Sequence, residues 1–263
     1  MRICRFSRDG DVSFGVVEGP GDDPADLVVH AMAGHPFAPM QPTGEQHPLS
    51  AVRLLAPVLP SKVVCIGKNY ADHVAEMAAV TGGEAPATPV TFLKPSTSVV
   101  GPGDAIVLPR DSERVDHEAE LAVVIGRLCR EVPRARFADV VLGYTVGNDV
   151  TARDHQKADG QWTRGKGHDT FCPLGPWVET EIDPRDLRVT CTVDGQPRQD
   201  GRTSALLHDV GAIVEWVSAF MTLLPGDVIL TGTPAGVGPL SAGQSVSCAI
   251  EGIGTLTNPV VSR

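Results

Sequence analysis

The sequence predicts a mixed α/β fold dominated by β-structure, with a sheet that rolls or closes into a barrel-like form. Three observations predict it. Short β-branched and apolar runs recur along the whole chain, cut by Gly, Pro, Asn and Asp. Two Asp-Gly pairs, Asp9-Gly10 and Asp194-Gly195, sit between such runs as hairpin turns. Only a few stretches carry helical periodicity. A chain of 263 residues is long enough for a sizeable core, and its 42% apolar and 21% charged residues are ordinary for a globular protein.

Taken in order, residues 3–18 read as a hairpin around Asp9-Gly10, and Asp26–His30 as a further strand. Residues 32–50, rich in Pro, Gly, His and Gln without periodicity, read as loop or linker. Residues 1–50 thus form a small β-rich unit with no evident chemistry, and the main domain runs over 51–263. It opens with a buried strand, Lys62–Gly67, and a helix over Asn69–Met77, where His73 and Glu76 share a face. Such a pair also occurs as a plain surface contact. Residues 79–90, with Gly82-Gly83 and two prolines, read as a mobile loop, and a short helix before such a loop suits a lid. Strands follow at Thr91–Pro95 and Asp104–Leu108. Residues 135–141 read as helix, Leu142–Gly147 as strand, and 157–176 as an irregular Gly-rich segment. Leu187–Val193 turns at Asp194-Gly195 into a second hairpin. A helix over 209–222 stops at Pro225-Gly226, and strands at Asp227–Leu230, Gln244–Ile250 and Gly254–Val261 close the chain.

The net charge of −10 argues against nucleic acid or an anionic membrane surface as partner. The N-terminus has no signal-peptide core, and the longest helical apolar stretch, Val210 to Leu224, is interrupted by Glu215 and too short to span a bilayer. Six scattered cysteines without a C-x-x-C pair suit reduced, buried thiols. The expectation is a soluble, cytoplasmic protein.

The chemistry concentrates at Val115–Gly126. Asp116, Glu118 and Glu120 alternate on a strand that runs on into Leu-Ala-Val-Val-Ile, so the three carboxylates face one way, roughly 7 Å apart. Carboxylates that close and partly buried repel one another, which a cation among them relieves. The bland alternative is an acidic, solvated edge strand. Asp149 ends another apolar strand. Glu118, Glu120 and Asp149 together make an oxygen-only set, which selects Mg²⁺, then Mn²⁺ or Ca²⁺, over zinc. Lys166, flanked by glycines, can bring a cation to a bound carboxylate or enolate, and Arg153 offers a carboxylate fork. The turn Thr231–Gly238 fits neither a P-loop nor a dinucleotide fingerprint. It reads as a structural turn, or as one placing Thr233 and backbone amides at a substrate carboxylate.

Seven motifs come in the order seen in the fumarylacetoacetate hydrolase family, which residues 51–261 resemble. They are Asn69-Tyr-x-Asp-His-x-x-Glu-Met77, Phe92-Leu-Lys-Pro-Ser96, Asp116-x-Glu-x-Glu-Leu121, Asp149-x-Thr-Ala-Arg-Asp154, Lys166, Pro173-x-Gly-Pro176 and Gly232-Thr-Pro-Ala-Gly-Val-Gly238. The chain is most similar to the single-domain branch of acylpyruvate hydrolases, oxaloacetate decarboxylases and 2-hydroxyhepta-2,4-diene-1,7-dioate isomerases. Residues 1–50 resemble the small N-terminal β unit of bacterial members. The resemblance implies a β-sandwich roll, a homodimer, and Mg²⁺ or Mn²⁺ on Glu118, Glu120 and Asp149. It implies that His73 takes a proton from water while Glu76 orients it, and that Lys166 stabilises developing negative charge. Arg153, Gln156, Thr233 and Lys94 are implied to contact substrate. His117 and His168 stand where an aromatic is expected, as part of the pocket wall.

A 2-oxo acid suits such a site, because its carboxylate and keto oxygens chelate the metal and the metal stabilises the enolate. A His–Glu dyad that activates water favours C–C hydrolysis of an acylpyruvate-type 2,4-diketo acid. The same base can shuttle a proton, so isomerisation of a dienoic diacid and decarboxylation of oxaloacetate stand beside it. A keto-acid binder without turnover is a further class, and His73, Glu76 and Lys166 argue against it.

Overall fold

A computed structural model of the protein describes residues 1–21, 23–78 and 85–263. Residues 79–84, half of the loop expected at 79–90, therefore lie outside the described residues. A twelve-stranded sheet runs in the order Gln41–Pro48, Val28–Ala33, Asp11–Glu18, Arg2–Arg8, Cys172–Glu179, Val141–Asn148, Ala119–Ile125, Val228–Leu230, Val63–Gly67, Val90–Lys94. Arg53–Leu55 and Val99–Val100 pair off this path, with Arg2–Arg8 and Cys172–Glu179 respectively. A five-stranded sheet, Gln196–Arg202, Arg188–Val193, Ser245–Ile250, Gly254–Ser262, Ile106–Leu108, packs on one face of its middle. The architecture is the β-dominated sandwich roll that the sequence predicts.

Alternation within Ala119–Ile125 explains why the acidic strand is buried on both faces. Leu121, Val123 and Ile125 enter a core shared with Val189, Cys191, Cys248 and Ile250 of the smaller sheet. Ala122 and Val124 enter a second cluster with Val63, Cys65, Leu174 and Leu230. Both hairpins form at their Asp-Gly turns. Helix Ala71–Glu76 follows Val63–Gly67, and helix Val210–Phe220 buries Ile213, Val214 and Val217.

Three segments depart from expectation. Residues 32–50 contain a strand, Gln41–Pro48, paired antiparallel with Val28–Ala33. It is a sheet edge with only His47 buried, so no apolar alternation marks it. The segment 157–176 is mostly regular: helix Arg153–Asp159 ends in it, helix Thr163–Lys166 lies within it, and the wholly buried strand Cys172–Glu179 begins in it. Pro173, Gly175 and Pro176 make that strand read as a breaker run. Finally, Arg134–Asp139 is a 3-10 helix rather than an α-helix, and the next strand starts at Val141.

Candidate metal centre and active site

The ladder breaks at Glu118, between the strands Val115–His117 and Ala119–Ile125. There the Glu118 amide donates to Asn148 Oδ1 at 2.9 Å and its carbonyl accepts from the Asp149 amide at 2.8 Å. Because Ala119 pairs with Asn148, Glu118 and Asp149 come together at the ends of two neighbouring strands, with Glu120 one step inside. Ligand oxygens of Glu118, Glu120 and Asp149 lie within 4.8 Å of one another, and all three residues are buried. Asp116 does not join them. The break re-aims it, and it accepts from Arg153 Nε at 2.8 Å and Arg114 Nε at 3.0 Å.

Three cations compensate the triad. Lys166 Nζ donates to Glu118 Oε2 and Asp149 Oδ2, both at 2.6 Å. Arg153 reaches Glu118 Oε1 at 2.6 Å and Lys94 reaches Asp149 Oδ1 at 2.8 Å. Burial pushes the Glu118 carboxyl up, but Lys166 and Arg153 more than reverse this and hold it below the carboxylate range. Glu120 behaves oppositely: burial, then Asp149 and Glu118, push it well above its ordinary value. Burial lowers Lys166, and Asp149 and Glu118 outweigh that and raise it. An all-oxygen, mutually repelling, buried donor set fits a hard divalent cation.

Helix Ala71–Glu76 brings His73 over this centre. His73 Nδ1 lies 3.3 Å from Glu76 Oε2, and the Gly236 amide donates to both Glu76 oxygens, at 3.0 and 3.2 Å. The triad, His73, Arg153, Gln156, Lys166 and Thr233 line one narrow cleft with about 20 Å³ of open space, walled on its apolar side by Ile66, Val74, Met77 and Trp162. Gly67 is required there, since a Cβ would meet the Trp162 ring at 2.5 Å. Gln156 Oε1 accepts from Arg153 at 3.1 Å. Thr233 donates its only hydroxyl hydrogen to the Ala119 carbonyl, so towards the cleft it offers a lone pair and not a donor. A larger cavity of about 940 Å³, floored by Phe137, Leu206 and Val210, holds none of these residues.

Two further expectations change. Lys94 sits behind the ligand set and does not line the cleft: its ammonium donates to the carbonyls of Val150, Lys166 and Phe171 as well as pairing with Asp149. His117 and His168 are not on the wall either. His117 is buried against Gln199, and His168 pairs with His155 at 3.1 Å beside a separate cavity.

Sequence reasoning missed the supports. Asn69, at the root of the helix, donates to the Thr231 and His208 carbonyls and accepts from the His208 amide. Gln199 links the acidic strand to the turn 231–238. A polar residue in a polar strand carries no periodic signal, so only the structure finds it.

Residues 62–261 match the family model for the fumarylacetoacetate (FAA) hydrolase C-terminal domain, and residues 1–57 match an N-terminal model named Rv2993c-like. Protein Rv2993c of Mycobacterium tuberculosis is 57% identical, with 100% of this chain and 99% of the relative covered. The mitochondrial oxaloacetate tautomerase Fahd2a of Rattus norvegicus is 44% identical over 81% of this chain and 71% of its own length. Among solved structures, a 2-hydroxyhepta-2,4-diene-1,7-dioate isomerase from Mycobacterium marinum superposes with a TM-score of 0.93 at 56% identity, covering 100% of this chain and 99% of that one. A maleylpyruvate hydrolase from Sphingobium sp. SYK-6, in complex with manganese(II) and pyruvate, superposes at 0.79 with 32% identity, covering 100% and 99%. The chain belongs to the fumarylacetoacetate hydrolase family.

Proposed function

We propose that this enzyme moves a proton between tautomers or double-bond isomers of a 2-oxo dicarboxylic acid, with Mg²⁺ or Mn²⁺ held by Glu118, Glu120 and Asp149. The observation that carries the reading is a single His–Glu dyad facing a buried, charge-compensated oxygen triad in one cleft. When bound, the metal supplies Lewis-acid stabilisation of negative charge on substrate oxygens. His73 carries the proton, and Glu76, anchored by the Gly236 amide, orients the imidazole. Arg153 and Gln156 place the carboxylate, and the Lys166 ammonium faces the charge that develops.

Charge balance supports a dianion. Glu118, Glu120 and Asp149 are matched by Lys94, Lys166 and Arg153, and Asp116 has Arg114 in addition. A divalent ion therefore leaves the site doubly positive, which suits two carboxylates better than one. The names of the tautomerase and isomerase relatives, at 44% and 56% identity, point to diacids as well. C–C hydrolysis of a 2,4-diketo acid is the second reading, favoured by a dyad able to activate water and by the hydrolase relative holding manganese and pyruvate. All six cysteines are free and buried, which supports a reducing, cytoplasmic setting, and no helix among the described residues is long and apolar enough to cross a membrane. A homodimer, testable by light scattering, completes the reading.

The test uses metal-stripped protein with Mg²⁺ or Mn²⁺ restored. Three signals are followed: enol-to-keto conversion of oxaloacetate, cleavage of acetylpyruvate, and pyruvate release from oxaloacetate. Metal-dependent ketonisation is expected, falling about 10²–10⁴-fold in His73→Ala while Mn²⁺ still binds. Acetylpyruvate cleavage without ketonisation would move the enzyme to the hydrolases, and pyruvate release alone to the decarboxylases.

A further inference from the structure

Gln199 belongs to the five-stranded sheet, yet its side chain serves the other one. It is 2% exposed, the one buried residue of the strand Gln196–Arg202. Its Oε1 accepts from the Ala119 amide at 3.0 Å and from His117 Nδ1 at 3.2 Å. Its Nε2 donates to Thr233 Oγ1 at 2.7 Å and to the Pro234 carbonyl at 2.8 Å. Two acceptor and two donor positions are all used. The orientation of the amide is forced, because the Ala119 amide can only donate and the Pro234 carbonyl can only accept. It follows that His117 carries its proton on Nδ1.

The contacts bracket the site. His117 and Ala119 flank Glu118, and Thr233 and Pro234 belong to the turn that meets both Glu120 and Glu76. At the near end of that turn, Thr231 is tied to the Leu121 carbonyl through its amide and hydroxyl, and the Gly232 amide donates to Glu120 Oε2 at 2.6 Å. That end is fixed without Gln199. Beyond Gly236 the chain is held again, because Gly238–Pro239 pairs with Asp116–His117, so the span left to Gln199 lies between these anchors, where Gly236 meets Glu76. Gly236 takes φ +98°, and a Cβ on it would lie 2.1 Å from the Arg198 carbonyl oxygen, so the turn is seated directly on the strand that carries Gln199.

We propose that Gln199 is a positioning residue: by clamping Thr233 and Pro234 to the His117 ring and the Ala119 amide, on either side of Glu118, it sets where Gly236 holds Glu76. In this way it sets the placement of the His73–Glu76 dyad over the carboxylate ligands. The catalytic half of the proposal rests on the reading of that dyad as the proton carrier. The structural half does not.

Gln199→Glu tests both, since it keeps the shape and turns the donor end into an acceptor facing the Pro234 carbonyl. Hydrogen exchange is read at the Gly236 and Thr231 amides, with Mn²⁺ affinity by calorimetry and kinetics on whichever 2-oxo acid turns over. Gly236 exchange should accelerate at least about 10-fold while Thr231 stays protected. Mn²⁺ affinity should stay within about 3-fold, and kcat should fall about 10–100-fold with KM little changed, as expected for a displaced catalytic group. In a Glu76→Ala background, the Gln199 substitution should cost nothing further, because both act through one contact. A folded Gln199→Glu protein with Gly236 exchange and kcat unchanged would overturn the proposal, as would a full additional loss in the Glu76→Ala background. If Gln199→Glu does not fold, Thr233→Val removes one of the two clamped partners and should give an intermediate rise in Gly236 exchange; no rise again overturns it. The exchange readout needs no substrate, so faster Gly236 exchange without any turnover would sink the reaction assigned above and leave the clamp standing.

Discussion

The ammonium of Lys94 touches three backbone carbonyls and Asp149, all in the interior. It joins the strand Val90–Lys94 to the segments that carry Asp149 and Lys166, so its effect on the site passes through their placement. Lys94→Met leaves Asp149 short of a partner and three carbonyls short of a donor. Breaking one side of a buried pair costs about 3–5 kcal/mol, and we expect urea denaturation to show a loss in that range. A loss below about 1 kcal/mol would mean that water or a rearranged Lys166 replaces it. Residue type and order made the triad, the dyad, Lys166, Arg153 and Gln156 legible in the sequence, because each group's chemistry is local to its side chain. Lys94 against Lys166 was not legible: both are lysines near the ligands, and only the direction of approach separates a group in the cleft from one behind it. Asp116 was misplaced for a similar reason, since strand alternation assumes an unbroken ladder and the ladder breaks at Glu118.

Among the elements, helix Val210–Phe220 shows how a remote cap bears on the cleft. Asp209 accepts from the Ala212 amide as its N-cap and pairs with Arg134. The residue before it, His208, is held through its backbone by Asn69, at the root of the helix that carries His73. Burial pushes the Asp209 carboxyl up, and the bonds from Arg134 and Ala212 outweigh this and hold it below its ordinary value. A depressed carboxyl stabilises the fold fully above the unfolded value of about 3.9, and that stabilisation fades as pH falls through the folded one. The side chain is 53% exposed, so the Arg134 pair is screened and the cap dominates. Asp209→Ala should therefore cost about 1 kcal/mol at neutral pH, and urea midpoints of wild type and variant should converge in acid. A constant gap across that range would assign the loss to something other than the cap's charge. The helix itself was readable from its periodicity and its Pro225-Gly226 stop. The strand Gln41–Pro48 was not, because an edge strand facing water has no buried face to leave a pattern.

Across the whole molecule, main-chain pairing runs through the boundary that composition draws near residue 50. Arg2–Arg8 pairs with Arg53–Leu55 and with Cys172–Glu179, and Arg2 lies over the Trp177 ring at 5.4 Å. Cys4, Phe6, Val17 and Val29 share one buried core with Leu121, Trp177 and Val189. The strand Cys172–Glu179 that joins the N-terminal strands to the rest also pairs with Val141–Asn148, which ends beside Asp149. A ligand at the metal centre should therefore stabilise the N-terminal strands together with the body. At free Mn²⁺ about 100-fold above its dissociation constant, binding adds about 2.7 kcal/mol. At about 2–4 °C per kcal/mol for a chain of this size, the unfolding midpoint should rise by about 5–10 °C. Calorimetry should show one transition that moves as a unit, and Glu118→Ala should abolish the shift. A second peak that ignores Mn²⁺ would mean that the N-terminal strands unfold on their own and that the continuous sheet transmits nothing from the site. A single peak that fails to move in wild type would remove the metal centre itself.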